Sequence, residues 1–505
     1  MVSQFDYLSK RVVYSPEMEA LFDVKSGKRF TYKELNDKAN QVANYLKDTY
    51  QIVKGDRCAI VAYNDFRYWI LFFGIQKLGG IIVGLNWRLV PYEINQLVQD
   101  IAPKILLYDK NTDKLISEVK NLNQACIYMD FDEFFSDRLE SYSMDNPQHP
   151  NLTYEDTIGI VYTGGTTGLP KGAMISYRQV AFNTLNTIRD ILPGDTYINH
   201  LPLFHVGGLY VYALPLFILG GKVIQMESWD VEKYLHLVNT EKPTFSFCVP
   251  TQYRMILASA NFKSTDFSTH RFLTSGGEPL SLDIIRTFKG THNVIFKQGF
   301  GMTEVGPGVF ALDPKDATRK LGSIGTPNFF IDAKIVNAEN GLECKPNEIG
   351  ELVLKGPTVT TGYWNRPEIN KKLLDKDGYF HTGDMARIDE DGYFFIVDRL
   401  KDMFISGGEN VYPREIEKTL EEHSMVSQVQ VIPVKDEKWG EVGRALVVLK
   451  PNTQVSAEEL ILFCGARLAK FKIPKSIIFI ESFTKYISAA GKILKRKLVE
   501  DYGTN

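Results

Sequence analysis

IGIVYTGGTTGLPKGAMIS (Ile158–Ser176) begins as an apolar run and breaks at Thr163 into glycines and threonines that end on Pro170, Lys171 and Gly172. Glycine lets the main chain approach a ligand closely and turn its amides inward, while threonine hydroxyls and a lysine add donors for phosphate oxygens. The stretch is not the widespread nucleotide loop that ends in Gly-Lys-Ser/Thr. Lys171 is followed by Gly172, so the hydroxyl that takes the metal in that loop has no counterpart at its usual place. Alone, the run reads equally as a phosphate cradle or as a plain glycine turn between a strand and a helix.

Outward from this stretch, apolar strand-like runs alternate with amphipathic segments. RCAIVAY precedes the helical DFRYWILFFGIQKLG, which leads into IIVGLN, and KILLYD, GKVIQM, FSFCVPT and NVIFKQGFG mark further strands. Such alternation predicts parallel sheets covered by helices. From about Ile324 to Phe395 short strands and turns take over, with Asn340-Gly341 and Asp391-Gly392 as hairpin signals. After Asp398–Asp402 (DRLKD) a smaller pattern starts, in which Pro413 opens the helix PREIEKTLEEH. The predicted fold class is α/β. A large N-terminal domain, 1–400, has helix-covered parallel sheets and a small β-barrel-like part, and a small α+β C-terminal domain covers 401–505.

At 505 residues the chain exceeds what one core supports, and 44% hydrophobic with 24% charged residues is ordinary for a globular protein. A formal net charge of -3 argues against a nucleic-acid binder, which carries a basic stripe. Cys58, Cys126, Cys248, Cys344 and Cys464 lie far apart with no CxxC, so reduced thiols in a cytoplasmic chain are expected. The apolar stretch Tyr68–Trp87 is interrupted by Gln76, Lys77 and Gly79-Gly80. A buried helix, a glycine turn and a buried strand explain it better than a transmembrane segment. Peripheral membrane contact and a homodimer stay open.

YTGGTTGLPKG does not stand alone. LPLFHVGGL (Leu201–Leu209), TSGGEPLS (Thr274–Ser281), QGFGMTE (Gln298–Glu304), GELVLKGPTVTTGYWNRPE, GYFHTGD (Gly378–Asp384), VDRLKDMFISGGENVYPREIE and GKILK (Gly491–Lys495) follow in order. Together these motifs resemble the adenylate-forming superfamily of acyl-CoA synthetases, luciferases and peptide-synthetase adenylation domains. The resemblance covers nearly the whole chain from about residue 30. A dinucleotide oxidoreductase would need GxGxxG after its first strand, and the sequence lacks that arrangement.

The resemblance implies attack of a carboxylate on the α-phosphate of ATP, release of pyrophosphate, and displacement of AMP from the acyl-adenylate by the thiol of coenzyme A. An anion approaches a polyanion in the first step, so fixed donors and cations must supply most of the catalysis. By resemblance, Thr163, Gly164, Gly165, Thr166, Thr167, Gly168 and Lys171 hold the β- and γ-phosphates, Thr303 contacts the α-phosphate, and Glu304 binds Mg2+. Gly277, Glu278, Gln298, Gly299, Phe300 and Gly301 surround the adenine, with Phe300 stacked on it. Asp384 anchors the ribose, and Arg399 reaches the ribose or the phosphates. Lys492 touches the α-phosphate during adenylation, and its departure about a hinge at Lys401 makes the C-terminal domain mobile. Gly408 and Trp439 then flank the pantetheine of coenzyme A. Lys495, Arg496 and Lys497 read as a solvated helix face. The segment before Lys492, FTKYISAAGK, lacks the family's proline and is about two residues longer.

His205, with Gly277 and Gly301, resembles the mouth of an acyl pocket. No Asp follows FHVGGLYVY to hold an α-ammonium group, which disfavours an amino acid. GGLYVYALPLFIL and FCVPTQYRMIL read either as pocket wall for an apolar chain or as ordinary core. A medium- or long-chain fatty acid is the favoured substrate. An aryl acid of the o-succinylbenzoate or cinnamate type is the alternative.

Overall fold

The computed structural model describes residues 2–163, 170–276, 280–400, 402–406, 409–487 and 493–503. Contacts divide the chain into two compact units, Met1–Asp332 with Lys355–Gly378, and Ala333–Leu354 with Tyr379–Asn505. The antiparallel strands within 333–354 and 379–399 fall in the second unit with the C-terminal part, so this division by contacts does not run through Lys401.

The first unit is built on two sheets. One has six strands in the order Ile127–Asp130, Ile105–Tyr108, Arg57–Val61, Ile81–Gly84, Thr157–Thr163, Lys171–Ser176. All neighbours pair parallel except the last two, which form an antiparallel hairpin. The other has nine strands, and its central run, Phe296–Phe300, Phe272–Ser275, Phe245–Cys248, Thr196–Asn199, Lys222–Gln225 and Glu19–Asp23, is parallel throughout. Short antiparallel strands close both of its edges. The α/β expectation is therefore met. The glycine-threonine stretch, however, joins two antiparallel strands, so a turn from strand to helix is not what it forms.

Tyr68–Trp87 folds as expected. Asp65 caps the helix Phe66–Lys77 through its carboxylate on the Arg67 amide, every residue from Tyr68 to Lys77 is buried, Gly79 turns with φ +68°, and Ile81–Gly84 continues as a strand. Among the described residues no helix is long and apolar enough to cross a membrane. The main core gathers Trp69, Phe72, Phe73, Tyr177, Tyr197, Leu214 and Phe217. Each ring or branched chain so buried contributes about 1.5–3 kcal/mol.

Lys77 ends that helix inside the protein. Its ammonium lies 2.8 and 3.0 Å from the Asp6 carboxylate oxygens, 2.7 Å from Ser9 Oγ and 2.9 Å from Asn36 Oδ1, and neither charge is exposed. Burial would raise the Asp6 carboxyl, but His149, Lys77 and Ser9 outweigh it and hold it well below the usual carboxylate range. The cluster ties the first helix, Tyr7–Tyr14, to the helices Tyr32–Tyr50 and Phe66–Lys77.

The second unit holds two sheets of mainly antiparallel strands. Gly350–Lys355, Phe380–Ile388 and Phe394–Arg399 pair in sequence, with Asp332–Val336 at one edge. Both predicted hairpins form: Gly341 and Gly392 take φ +72° and +82°. A second sheet orders Glu409–Val411, Phe404–Ser406, Gly440–Leu449 and Val426–Asp436, and Ser476–Phe479 adds parallel to Gly440–Leu449. Pro413 opens the helix Pro413–Glu421, and the chain's last helix is Lys495–Tyr502.

Two outcomes test this account. Lys77→Ala strands a buried carboxylate and should cost about 3–5 kcal/mol, read as a lower urea midpoint, with partial recovery in the Asp6→Asn, Lys77→Met double variant; an unchanged midpoint would remove the cluster from the stability of this unit. His200 and His270 are buried, and burial holds each at about 3, well below an ordinary imidazole. Between pH 6.5 and 3 the unfolded chain binds protons that the folded one does not, so stability falls as pH falls through that window. At pH 5 each histidine should cost the fold about 2 kcal/mol relative to pH 7. His270→Gln should shrink the pH 7 to pH 5 difference in unfolding free energy by that amount.

Candidate active site

The parallel strands place the candidate residues by topology. Phe296–Phe300, Phe272–Ser275, Phe245–Cys248 and Thr196–Asn199 are consecutive neighbours, and their C-terminal ends lead into Gly301–Glu304, Gly276, Val249 and Leu201–His205. Ligands of open parallel sheets sit at such ends, because loops of adjacent strands converge there. Gln298 is buried, Gly299 and Phe300 pair with Ala311 and Phe310, and the Phe300 ring, half-buried, meets Phe310 edge-on at 5.9 Å. Gly301 has no room for a side chain: a Cβ would lie 1.4 Å from the Pro307 carbonyl oxygen.

Glu304 follows in the short turn Thr303–Val305, with both Thr303 and Glu304 buried. Its Oε1 accepts from the Tyr363 hydroxyl at 3.0 Å and lies 3.3 Å from Thr163 Oγ1. Thr163 ends its strand opposite Lys171 across the hairpin, so the loop between them is joined at its base to the turn carrying Glu304. The Lys171 ammonium lies 5.3 Å from the Tyr363 ring centre. Burial and the Glu304 charge push the Tyr363 phenol far up, so it remains a donor.

The site fits Mg2+ by the chemistry of its donors. Among the described residues no group of three or more His, Cys, Asp or Glu side chains surrounds a common point. One buried carboxylate beside a hydroxyl suits a hard cation that takes its remaining ligands from phosphates and water.

His205 is half-buried, and its Nδ1 accepts from the Gly207 amide at 3.1 Å, so the proton of the neutral ring sits on Nε2. The loop before it is fixed by Asn64, which accepts from the Leu203 amide at 2.9 Å and donates to the carbonyls of Leu201 and Met226. One full π-turn, Gly207–Val211, follows. The run Ala213–Leu216 is fully buried in the main core and builds the domain. Phe247 is different: it is half-buried, its ring meets Tyr212 at 5.4 Å, and a side chain on Gly276 would approach it to 3.1 Å.

In the second unit, Asp384 and Arg399 are cross-strand partners. Arg399 Nε lies 3.2 Å from Asp384 Oδ1, with the carboxylate buried and the guanidinium nearly half exposed. Trp439 lies exposed in the turn between Val426–Asp436 and Gly440–Leu449, its amide donating to Asp436. Gly164, Gly165, Thr166, Thr167, Gly168, Gly277, Glu278, Lys401, Gly408 and Lys492 lie outside the described residues.

Lys495 corrects the reading of a solvated basic face. Its ammonium lies 2.9 Å from Oε1 of Glu417, a buried carboxylate that also accepts from the Val431 amide and lies 3.3 Å from Arg414. Burial alone would lower the Lys495 ammonium, but Glu417, Asp398 and Asp402 raise it. Arg496 is exposed as expected and pairs with Glu500 one turn on. In sequence, a lysine in a basic run looks identical whether its partner is water or a buried acid, and Lys495 has a buried acid. Tyr363 and Asn64 were missed for another reason: each acts through a partner distant in sequence, Glu304 and the Leu201–Leu203 loop.

Residues 8–364 match the family described as AMP-binding enzyme, and residues 415–492 match the AMP-binding enzyme C-terminal domain. A feruloyl-CoA synthase of Amycolatopsis sp is 35% identical over 94% of this chain and 95% of its own. The long-chain-fatty-acid–CoA ligase FadD13 of Mycobacterium tuberculosis is 35% identical over 98% of this chain and 97% of its own. The structure of O-succinylbenzoate coenzyme A synthetase (MenE) from Bacillus subtilis, in complex with ATP and magnesium ion, superposes with a TM-score of 0.86 at 29% identity, covering 98% of this chain and 99% of that one. With its paired parallel sheets, its smaller C-terminal part and the Glu304 turn joined to the glycine-threonine hairpin, the chain belongs to the AMP-binding enzymes and is an AMP-forming acyl-CoA synthetase.

Proposed function

We propose that the chain activates a carboxylic acid with ATP as its acyl-adenylate and transfers the acyl group to the thiol of coenzyme A. The observation that carries this reading is the buried Glu304 carboxylate at the base of the Thr163–Lys171 hairpin. Mg2+, when bound, supplies charge neutralisation on the phosphates. Glu304 holds it, the hydroxyl of Thr163 and the ammonium of Lys171 bind β- and γ-phosphate oxygens, and Thr303 contacts the α-phosphate. Thr166 and Thr167, with the main chain of Gly164, Gly165 and Gly168, complete the cradle. Donors fixed before the reaction need no rearrangement as charge shifts to pyrophosphate, and Thr163 and Thr303 are held by the strand and the turn that carry them.

Phe300 stacks on the adenine beside Gly277, Glu278, Gln298, Gly299 and Gly301. Asp384 accepts from the ribose hydroxyls, and its cross-strand partner Arg399 reaches the same ribose or the phosphates. Lys492 binds the α-phosphate during adenylation. Lys401 is the pivot on which the 401–505 part exchanges Lys492 for Gly408 and Trp439 at the pantetheine. The Lys495–Glu417 pair anchors the start of the last helix, three residues after Lys492.

For the acid we favour a medium- or long-chain fatty acid, admitted past His205 and along the half-buried Phe247 ring between Tyr212 and Gly276. An aryl acid is the second reading, favoured by the equal identity to a feruloyl-CoA synthase and by the aromatic character of that wall. The described cysteines are all free, in keeping with a cytoplasmic enzyme.

Two experiments test this function. Lys492→Ala should slow pyrophosphate release on the order of 10²–10³-fold, the usual loss for one preorganised donor, while thioester formation from supplied acyl-adenylate is retained. Equal loss of both half-reactions would refute the division of labour. A panel of fatty acids of increasing length beside ferulate and o-succinylbenzoate, read as kcat/KM, should peak within the alkyl series. A peak on an aryl acid would select the second reading, and no turnover with any acid would overturn the function.

A further inference from the structure

We propose that Tyr363 is a positioning residue for adenylation: its hydroxyl orients Glu304 toward the metal and its ring seats the ammonium of Lys171. The inference rests on the reading of Glu304 as the Mg2+ carboxylate. Among the described residues, the hydrogen bonds to the Glu304 carboxylate both fall on Oε1, from Tyr363 at 3.0 Å and Thr163 at 3.3 Å. A carboxylate held by one oxygen has its plane set, and Oε2 is left to a cation. The same ring lies 5.3 Å from the Lys171 nitrogen, within reach of a cation–π attraction. One side chain thus touches both the metal carboxylate and the phosphate-binding lysine.

The segment carrying Tyr363 is fixed from several sides. Asn370 accepts from the Tyr363 amide at 2.7 Å and donates to its carbonyl at 2.9 Å. Ala173 and Tyr363 form an antiparallel bridge, the Met174 amide donates to Gly362, and the Trp364 amide donates to Gly172, so the segment extends the hairpin's outer strand. The Thr360 amide donates to the Glu304 carbonyl at 2.7 Å. Trp364, Asn365 and Arg366 all bond Asp100, which also accepts from the Tyr162 hydroxyl at 2.7 Å. Such support is what a group needs to hold a ligand's orientation, and loss of an outer partner of a metal ligand commonly costs about 10–100-fold in metal affinity.

The test compares binding of ATP with Mg2+ and of ATP with a chelator, by calorimetry without acid or coenzyme A. The ratio of the two affinities isolates the metal. Tyr363→Phe keeps the ring and removes the hydroxyl, so the ratio should fall about 10-fold while chelated ATP binds as before. Tyr363→Leu should in addition weaken chelated ATP several-fold, because Lys171 loses its seat. Glu304→Gln should abolish the ratio. A ratio unchanged in Tyr363→Phe but abolished in Glu304→Gln would overturn the positioning role and leave the function standing. A ratio unchanged in both would overturn the reading of Glu304, and with it this inference. Equal weakening of both ATP forms in Tyr363→Phe would assign the residue to packing and also overturn the proposal. Should that variant not fold, Asn370→Ala, which frees the Tyr363 main chain, makes the same comparison with a smaller expected loss of about 3-fold.

Discussion

The arrangement of the first unit turns on one buried carboxylate. Glu304 follows the strand Phe296–Phe300 of the nine-stranded sheet, yet its oxygen is held by Thr163 from the six-stranded sheet and by Tyr363 from the segment laid along that sheet's outer hairpin. A carboxylate out of water needs such donors, because burying it unpaired costs several kcal/mol. The same requirement that stabilises the fold therefore brings the base of the glycine-threonine loop to the turn at the end of Phe296–Phe300. The proposed cation site lies where two sheets would otherwise end independently.

Buried charge recurs as a structural device in both units. In the first, Lys77 neutralises Asp6 beneath the N-terminal helix. In the second, Lys495 and Arg414 neutralise Glu417. Neither pair is a strong source of net stability, since the desolvation of two ions offsets their attraction. Removing one partner is costly, however, so each pair specifies a single docking of its helices. That matters most at Lys495, which fixes the start of the last helix three residues after Lys492.

The order of strands and helices was legible because periodicity, capping and turn residues agree. Asp65 before an apolar helix, Gly79 in a left-handed turn and Pro413 at a first helical position each have a local physical cause visible in sequence. The motif residues Thr163, Lys171, Glu304, Asp384 and Arg399 were legible as well, and the structure brings the first three together in one unit and the last two together in the other. What could not be read were relations across distance in the chain. Tyr363 lies 59 residues from Glu304 and Lys495 lies far from Glu417, and no spacing rule reports which exposed-looking side chain meets a buried acid. The strand-to-strand setting of the glycine loop was hidden for a similar reason: Lys171–Ser176 runs back along Thr157–Thr163, and a short apolar run after a loop is equally a helix start until its partner is known.

The acid is less determined than the nucleotide for a physical reason. Phosphates and a hard cation are held by main-chain amides, hydroxyls and one carboxylate, whose geometry tolerates little change and whose residues recur wherever the same polyanion is bound. The acyl group meets apolar surface, where shape matters more than any single residue and a methylene is worth only about 1–3 kcal/mol. Relatives named for ferulate and for long-chain fatty acids stand at the same 35% identity, as expected if overall likeness records the nucleotide chemistry and the fold. In the proposed acyl pocket, Phe247 differs from its neighbours on the strand: Ser246 and Cys248 are buried and it is not, so its ring is surface that a bound acid could meet.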